Sequence, residues 1–421
     1  MSWLFLVLVP CAVFPPFVGI VGPLSLDDVL PLLAVLVAAK FVVKRQPEPD
    51  PTWIGFALLA LLGVVSASVN ASSLSEWARL AGRSSGRAAF YLALIVGTRA
   101  ALYDGVWARR GLVALAAAAT VEASFCVFAY AFDFRGPLGF GLSDVPDWSV
   151  LKGHARVQGT FGGELNAFES ASVSANFLAG YLVIAIPPTV ALLAIASSWT
   201  RRALVVGSSA LMTAALYLTY TRAALGAVAV AVLLLGYLTG RRRAAISAVV
   251  LGVTLALALP TMRAKVLGEG HDRFALWSAA VAVTAQHPFA GVGDGNYLTT
   301  LDREPGLAHT EYGVARTTAH NSILLSAAHH GVLGGVAALL LDVMAVLVGF
   351  LAYRRAQGGS RVLIAGLLCG FVGFLIQDQS NDLSHVPKVA TQAWFAWALI
   401  SSMSRHRAER AQEARSVTIA S

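Results

Sequence analysis

The chain is built from apolar runs of about 20 residues, the length that crosses about 30 Å of hydrocarbon at 1.5 Å of rise per residue. A helix is the natural state of such a run in lipid, because it satisfies its own backbone N–H and C=O groups. Of the 421 residues, 57% are hydrophobic and 13% charged, whereas a soluble domain carries about 25% charge. Water is therefore not the main solvent. The runs predict spans near 3–22, 27–43, 53–70, 87–103, 111–132, 168–197, 203–220, 222–239, 244–262, 321–350, 361–377 and 388–404. The expected fold is an all-α integral membrane bundle of about twelve helices, with 1–421 as a single polytopic domain. The run Trp3 to Val21 has no basic stretch before it and no small-residue cleavage site after it. It reads as a retained first span with a cytoplasmic N-terminus.

Charge then orients the bundle. With the N-terminus inside, the inner connections carry Lys44 and Arg45; Arg99, Arg109 and Arg110; Arg201 and Arg202; Arg241, Arg242 and Arg243; and Arg354, Arg355 and Arg361. Arg405, Arg407, Arg410 and Arg415 follow in a basic cytoplasmic tail, 405–421. Every inner loop is basic, as the positive-inside rule requires. The net charge of +8 thus belongs to topology; it does not gather into one basic patch with interleaved aromatics, so a nucleic-acid partner is not expected. Cys11, Cys126 and Cys369 lie inside apolar runs without metal or disulfide spacing and read as small buried hydrophobes.

Three outer segments interrupt the rhythm. Leu74 to Arg87 sets Trp77, Leu80 and Ala81 against Arg79, Arg83 and Arg87, the pattern of an interfacial amphipathic helix or of a plain connector. Residues 133–167 are Gly- and Asp-rich, and 263–319, between spans nine and ten, is a large outer loop long enough for a small cap. In that loop Asp272 is a candidate N-cap for a helix from Arg273 to Gln286, stopped by His287-Pro288. The turn Gly291-Val-Gly-Asp-Gly295 has alternating glycines but no preceding strand, so a dinucleotide site is not expected.

His320 begins the tenth run, where an imidazole with an ordinary pKa near 6.5 can meet both water and a headgroup. That position suits a general base, and equally a cap or a structural hydrogen bond. His329 and His330 lie on other helix faces and read as structural. Arg222 opens the eighth run on the outer side, against the topological preference. It is either an anchor or a phosphate ligand, since guanidinium forks onto phosphate oxygens. Several outer arginines around one histidine fit a lipid-linked phosphate substrate.

An ordered set of short motifs accompanies these residues: Gly159-Thr-Phe161, Asn176-Phe-Leu-Ala-Gly-Tyr-Leu182, Tyr220-Thr-Arg-Ala-Ala224, Arg273-Phe-Ala-Leu-Trp277, His287-Pro-Phe-Ala-Gly-Val-Gly-Asp-Gly-Asn296 and Ala319-His-Asn321 with Gly331 and Gly334. Together they resemble the O-antigen ligase and O-antigen polymerase-like bacterial membrane glycosyltransferases. The resemblance implies a GT-C-like bundle with a periplasmic helical cap in the inner membrane, both termini cytoplasmic. It implies an undecaprenyl diphosphate-linked glycan donor, a glycan, lipid or protein acceptor, contacts with membrane lipids, and no cofactor or metal. His320 would then be the catalytic base, with Arg222 and Arg273 on the diphosphate and Asn321, Arg156 and Arg316 as further substrate-binding candidates. The chain departs from the family pattern at Gly162 to Ala175, an insertion with Glu164, Asn166 and Glu169, so the sequence assigns Asn176 no role. The stretch Gln377 to His385 is polar enough to face the site, though it reads more readily as a solvated connector. The alternative is a transporter or lipid-linked glycan flippase, with Glu122 inside the fifth run as a proton carrier.

Overall fold

The computed structural model describes residues 2–15, 19–21, 24–45, 51–136, 140–144, 155–161, 174–258, 263, 272–307, 309–310, 313–314 and 318–420. Helices dominate. The first half holds α1 (Ser2–Cys11), α2 (Leu26–Arg45), α3 (Thr52–Asn70), α4 (Leu74–Ala101), α5 (Gly105–Ala131) and α6 (Ser174–Ala191). It continues with α7 (Trp199–Leu218), α8 (Arg222–Leu238), α9 (Arg242–Ala258), α10 (Asp272–Gln286) and α11 (Tyr297–Arg303). Then come α12 (Ser322–His330), α13 (Val332–Arg355), α14 (Gly358–Asp378) and α15 (Pro387–Ala420). The strands are short antiparallel pairs, of which β3 (Gly141–Asp144) with β4 (Ala155–Gly159) bears on the site.

Five helices of the described residues are long and apolar enough to cross a membrane: Thr52–Asn70, Gly105–Ala131, Ala175–Ala194, Val332–Arg355 and Gly358–Asp378. Around them the large apolar side chains of α9 face outward, Ile246, Val250, Leu251, Val253 and Leu255 all being exposed. In water so broad an apolar surface would aggregate. Against lipid it is the expected exterior.

The centre is made by α6, α14 and α15. Phe177 to Ile184 along α6 are buried, and Gly366, Gly370 and Gly373 of α14 let that helix approach α6 and α8 closely. A Cβ on Gly370 would stand 2.4 Å from the Ile184 carbonyl oxygen. Small residues here permit the backbone contact that drives helix association in lipid.

Three elements differ from the sequence reading. First, the stretch from Leu74 is neither a separate interfacial helix nor a connector: α4 runs unbroken from Leu74 to Ala101. Ser73 caps its N-terminus at Glu76 N, while Glu76 reaches back to Ser72 N at 2.8 Å, a reciprocal cap. Second, the predicted span 321–350 is two helices. Gly331 takes φ +76 between α12 and α13, and Cβ atoms on Gly334 and Gly335 would meet Ser326 O at 2.5 Å and Ala327 Cβ at 2.9 Å. α12 therefore folds back along α13, with Ile323, Ser326 and Ala327 against the glycines of its first turn. Third, the tail is helical to Ala420 as a continuation of α15.

Candidate active site

The site forms where the first turn of α12, the link from α14 to α15, the start of α8 and strand β4 converge. His320 precedes α12 at φ +49, and its Nδ1 lies 3.4 Å from Asp382 Oδ1. Asp382 is itself left-handed, at φ +44. Left-handed backbone is unusual for residues with a Cβ and persists only where surroundings impose it. Among the described non-glycine residues with positive φ, Tyr220, His320 and Asp382 all belong to this region; Asp133 stands apart. Asn321 caps α12 by accepting from Leu324 N at 2.9 Å, and its amide donates to Gln379 O at 3.1 Å. The carboxamide is thus engaged at both ends.

On the other flank, Arg273 in the first turn of α10 donates from Nη2 to Asn381 Oδ1 at 3.3 Å. Arg156 on β4 is buried: its Nε donates to Thr219 O at 2.8 Å, and its Nη2 donates to Asn176 Oδ1 at 2.8 Å and Thr221 Oγ1 at 3.1 Å. Thr221 Oγ1 in turn donates to Asn176 Oδ1 at 3.0 Å. Arg222 opens α8 directly after this threonine. Burial, and secondly the nearby charge of Arg273, bring the Arg156 guanidinium down to about 10, still a cation at neutral pH. Guanidiniums held near one another in a desolvated site repel, and a bound dianion would relieve that cost.

Of the two readings of the link from Gln377 to His385, the structure corrects the solvated connector and has the segment facing the site. Gln377, Asp378, Asn381 and Asp382 are all buried. Gln377 Nε2 donates to Asn176 O at 3.1 Å, so the link touches Asn176, Arg273, Asn321 and His320 in turn. Asn176 and Asp382 are therefore site residues that the sequence did not reveal. Nothing local could have shown it, since their partners lie at distant positions in the chain. Arg316, Glu164, Asn166 and Glu169 lie outside the described residues.

A second polar group adjoins the first. Asp294, in the turn before α11, lies 3.8 Å from His329 Nδ1. The His329 ring sits edge-to-face with His330, His385 and Tyr297. Arg87, Asp294, His330, Asp378 and His385 line a cavity of about 90 Å³ with Tyr91 and Trp394, large enough for several waters at about 10–15 Å³ each. Burial, then the charge of Arg87, lowers the His385 imidazole to about 4. The turn docks on α4, where Arg79 donates to Asn296 Oδ1 at 3.2 Å and a Cβ on Gly295 would strike the Arg83 guanidinium.

Glu122 is fully buried in α5, where it accepts from Thr160 N at 2.7 Å and Thr160 Oγ1 at 2.9 Å. Lys388 donates to Thr160 O at 2.7 Å and Pro15 O at 2.9 Å, with its ammonium 4.5 Å from the Phe161 ring. Gly159 takes φ +58, and a Cβ there would lie 2.0 Å from Glu122 Oε1. The Gly-Thr-Phe motif is thereby a structural clamp that seats β4, and with it Arg156.

A family profile described as O-antigen ligase matches residues 207–339. That segment contains Arg222, Arg273 and His320, while Arg156, Asn176 and Asp382 lie outside it. A search of curated proteins finds no match.

Proposed function

We propose, for a chain whose residues 207–339 match an O-antigen ligase profile, that it transfers a lipid-linked glycan to an acceptor hydroxyl. The donor in this reading is an undecaprenyl diphosphate-linked oligo- or polysaccharide, and the face is the periplasmic side of the bacterial inner membrane. The observation that carries the proposal is the His320–Asp382 pair with Arg273 held by Asn381 of the same loop.

With Nδ1–H assigned to Asp382, the role of base falls to Nε2 of His320, and the carboxylate stabilises the imidazolium that forms. The acceptor hydroxyl loses its proton to Nε2 as its oxygen attacks the anomeric carbon. The bond from that carbon to the phosphate oxygen breaks, and the lipid diphosphate leaves with the electron pair. Displacement from the opposite face inverts the anomeric centre. Arg273, Arg222 and Arg156 take up the charge developing on the diphosphate. No step draws on a metal, and transfer should therefore persist in chelator. Asn321 shapes the turn here through both ends of its carboxamide.

The flippase alternative loses its main support, because Glu122 is held by Thr160 and faces Lys388 in a clamp. A carrier acid needs to exchange protons with both sides; this one is locked by its partners. General base catalysis contributes about 10² to 10⁴ in rate, so His320→Ala should lower turnover by that order. The measurement is glycan transfer from purified lipid-linked donor by reconstituted protein, with donor binding measured in parallel. Unchanged turnover in His320→Ala would end the base assignment.

A further inference from the structure

Asp378 is the last residue of α14 and is 1% exposed. Its carboxylate accepts three hydrogen bonds: Ser322 Oγ at 2.6 Å and Ser384 N at 2.7 Å on one oxygen, and Ser384 Oγ at 2.6 Å on the other. Hydrogen bonds to an ionised acceptor are short and strong, and a carboxylate alone among side chains offers two oxygens that only accept. The placement of the donors gives these bonds a purpose. Ser322 lies two residues after His320, and Ser384 lies two residues after Asp382.

The same carboxylate therefore grips both chain segments at the same offset beyond the two members of the His320–Asp382 pair. Both members sit at positive φ, +49 and +44, where a side-chain-bearing residue stays only under external constraint. A further tie crosses the same gap, Asn321 Nδ2 to Gln379 O at 3.1 Å, while Asp382 N to Asp378 O at 3.0 Å fixes the link itself. Asp378 is the point at which these constraints meet.

We propose that Asp378 is a positioning residue that sets the distance and angle between His320 and Asp382 by stapling Ser322 to Ser384. The proposal rests on the reading of His320 as the base. Asp378 touches no substrate in it, and its contribution passes wholly through the geometry of the pair. The charged groups on the elements around the pair include Asp378 at the end of α14, Asp382 on the link that follows, Arg273 on α10, and Asp294, Asp342 and Arg87 at the cavity. Their charges stay in place when the serines are changed, so serine variants isolate geometry from electrostatics.

The test is steady-state transfer by reconstituted protein, normalised to the monodisperse folded fraction. Asp378→Ala should lower kcat on the order of 100-fold, the cost of misplacing a catalytic group by about 1 Å, with the donor KM unchanged. Asp378→Asn should recover most of that loss, since its carbonyl can accept from Ser322 Oγ and Ser384 N while its amide donates to Ser384 Oγ. The double variant Ser322→Ala with Ser384→Ala keeps the carboxylate and should behave like Asp378→Ala; it decides the matter should Asp378→Ala not fold. A wild-type kcat in the double variant, or an Asn variant as impaired as Ala, overturns the staple. His320→Ala in the same assay separates the two readings. Full activity there overturns the base and the staple together. An inactive His320→Ala beside a fully active Asp378→Ala overturns the staple alone.

Discussion

In the proposed transfer, arginine and not merely positive charge is what the diphosphate side of the site demands. Arg273 is held by Asn381, and Arg156 is locked by Thr219, Asn176 and Thr221, so their forks are oriented before any ligand arrives. Lysine presents one point of charge and cannot reproduce a planar, paired donor set. Arg273→Lys and Arg222→Lys should each express normally and lose about 10- to 100-fold in kcat/KM, equivalent to about 1.4 to 2.7 kcal/mol of transition-state binding. Wild-type kinetics in both would remove the diphosphate clamp. At this scale the sequence was half legible. Arg222, Arg273 and His320 stand in recognisable local motifs. Asn381 and Asp382 do not, because their meaning lies in partners 108 and 62 positions away, and Asn176, though it opens a motif, meets Thr221 only across 45 positions.

Helices and their links carry the next share of the argument. The reversal between α12 and α13 escaped a reading by hydropathy, because an apolar hairpin and an apolar span have the same composition. The signal was Gly331, which interrupts a helical pattern at a position where only glycine fits. Its φ is +76, and a Cβ would stand 2.5 Å from Pro288 O and 2.6 Å from Phe289 C. Gly331→Ala should cost about 1–3 kcal/mol through strained backbone and overpacking. A lowered apparent melting temperature in detergent checks this; an unchanged one would mean that the hairpin adapts freely. The polar link after α14 is obscured for the same reason, since a buried hydrogen-bonded loop and a solvated one look alike by composition. Its burial has a pH signature at His385. The imidazole has a folded value of about 4, against about 6.5 unfolded. Between those values the unfolded chain binds the extra proton, so stability is full above about 6.5 and declines as pH falls toward 4. Melting temperature should fall across that window in wild type and fall less steeply in His385→Gln. Equal slopes would assign the effect to other groups.

The whole molecule must place this site on one side of a membrane, and there the sequence argues further than the structure. Five described helices meet the length and hydropathy of a span, with Ser2–Cys11 and Arg222–Leu238 as shorter apolar helices. The twelve-span arrangement with both termini inside rests on the alternation of basic loops. α4 shows why composition and topology part company: it merges an Arg-rich first half with an apolar second half. Its arginines earn their place through the turn at Asp294 and through the cavity, and so do not count as lipid anchors. Impermeant thiol labelling decides the orientation. Asp302 on α11 and Arg242 at the start of α9 are both exposed, so accessibility in the fold does not separate them and only the membrane can. Cys126 and Cys369 are buried while Cys11 is half-buried, so a cysteine-free background removes the one native thiol with partial access. In intact spheroplasts of that background, Asp302→Cys should react and Arg242→Cys should react only after permeabilisation. The reverse pattern would put His320 and its arginines on the inner side. A lipid-linked donor presented outside could not reach them, and the transfer reaction would have to be abandoned with the topology.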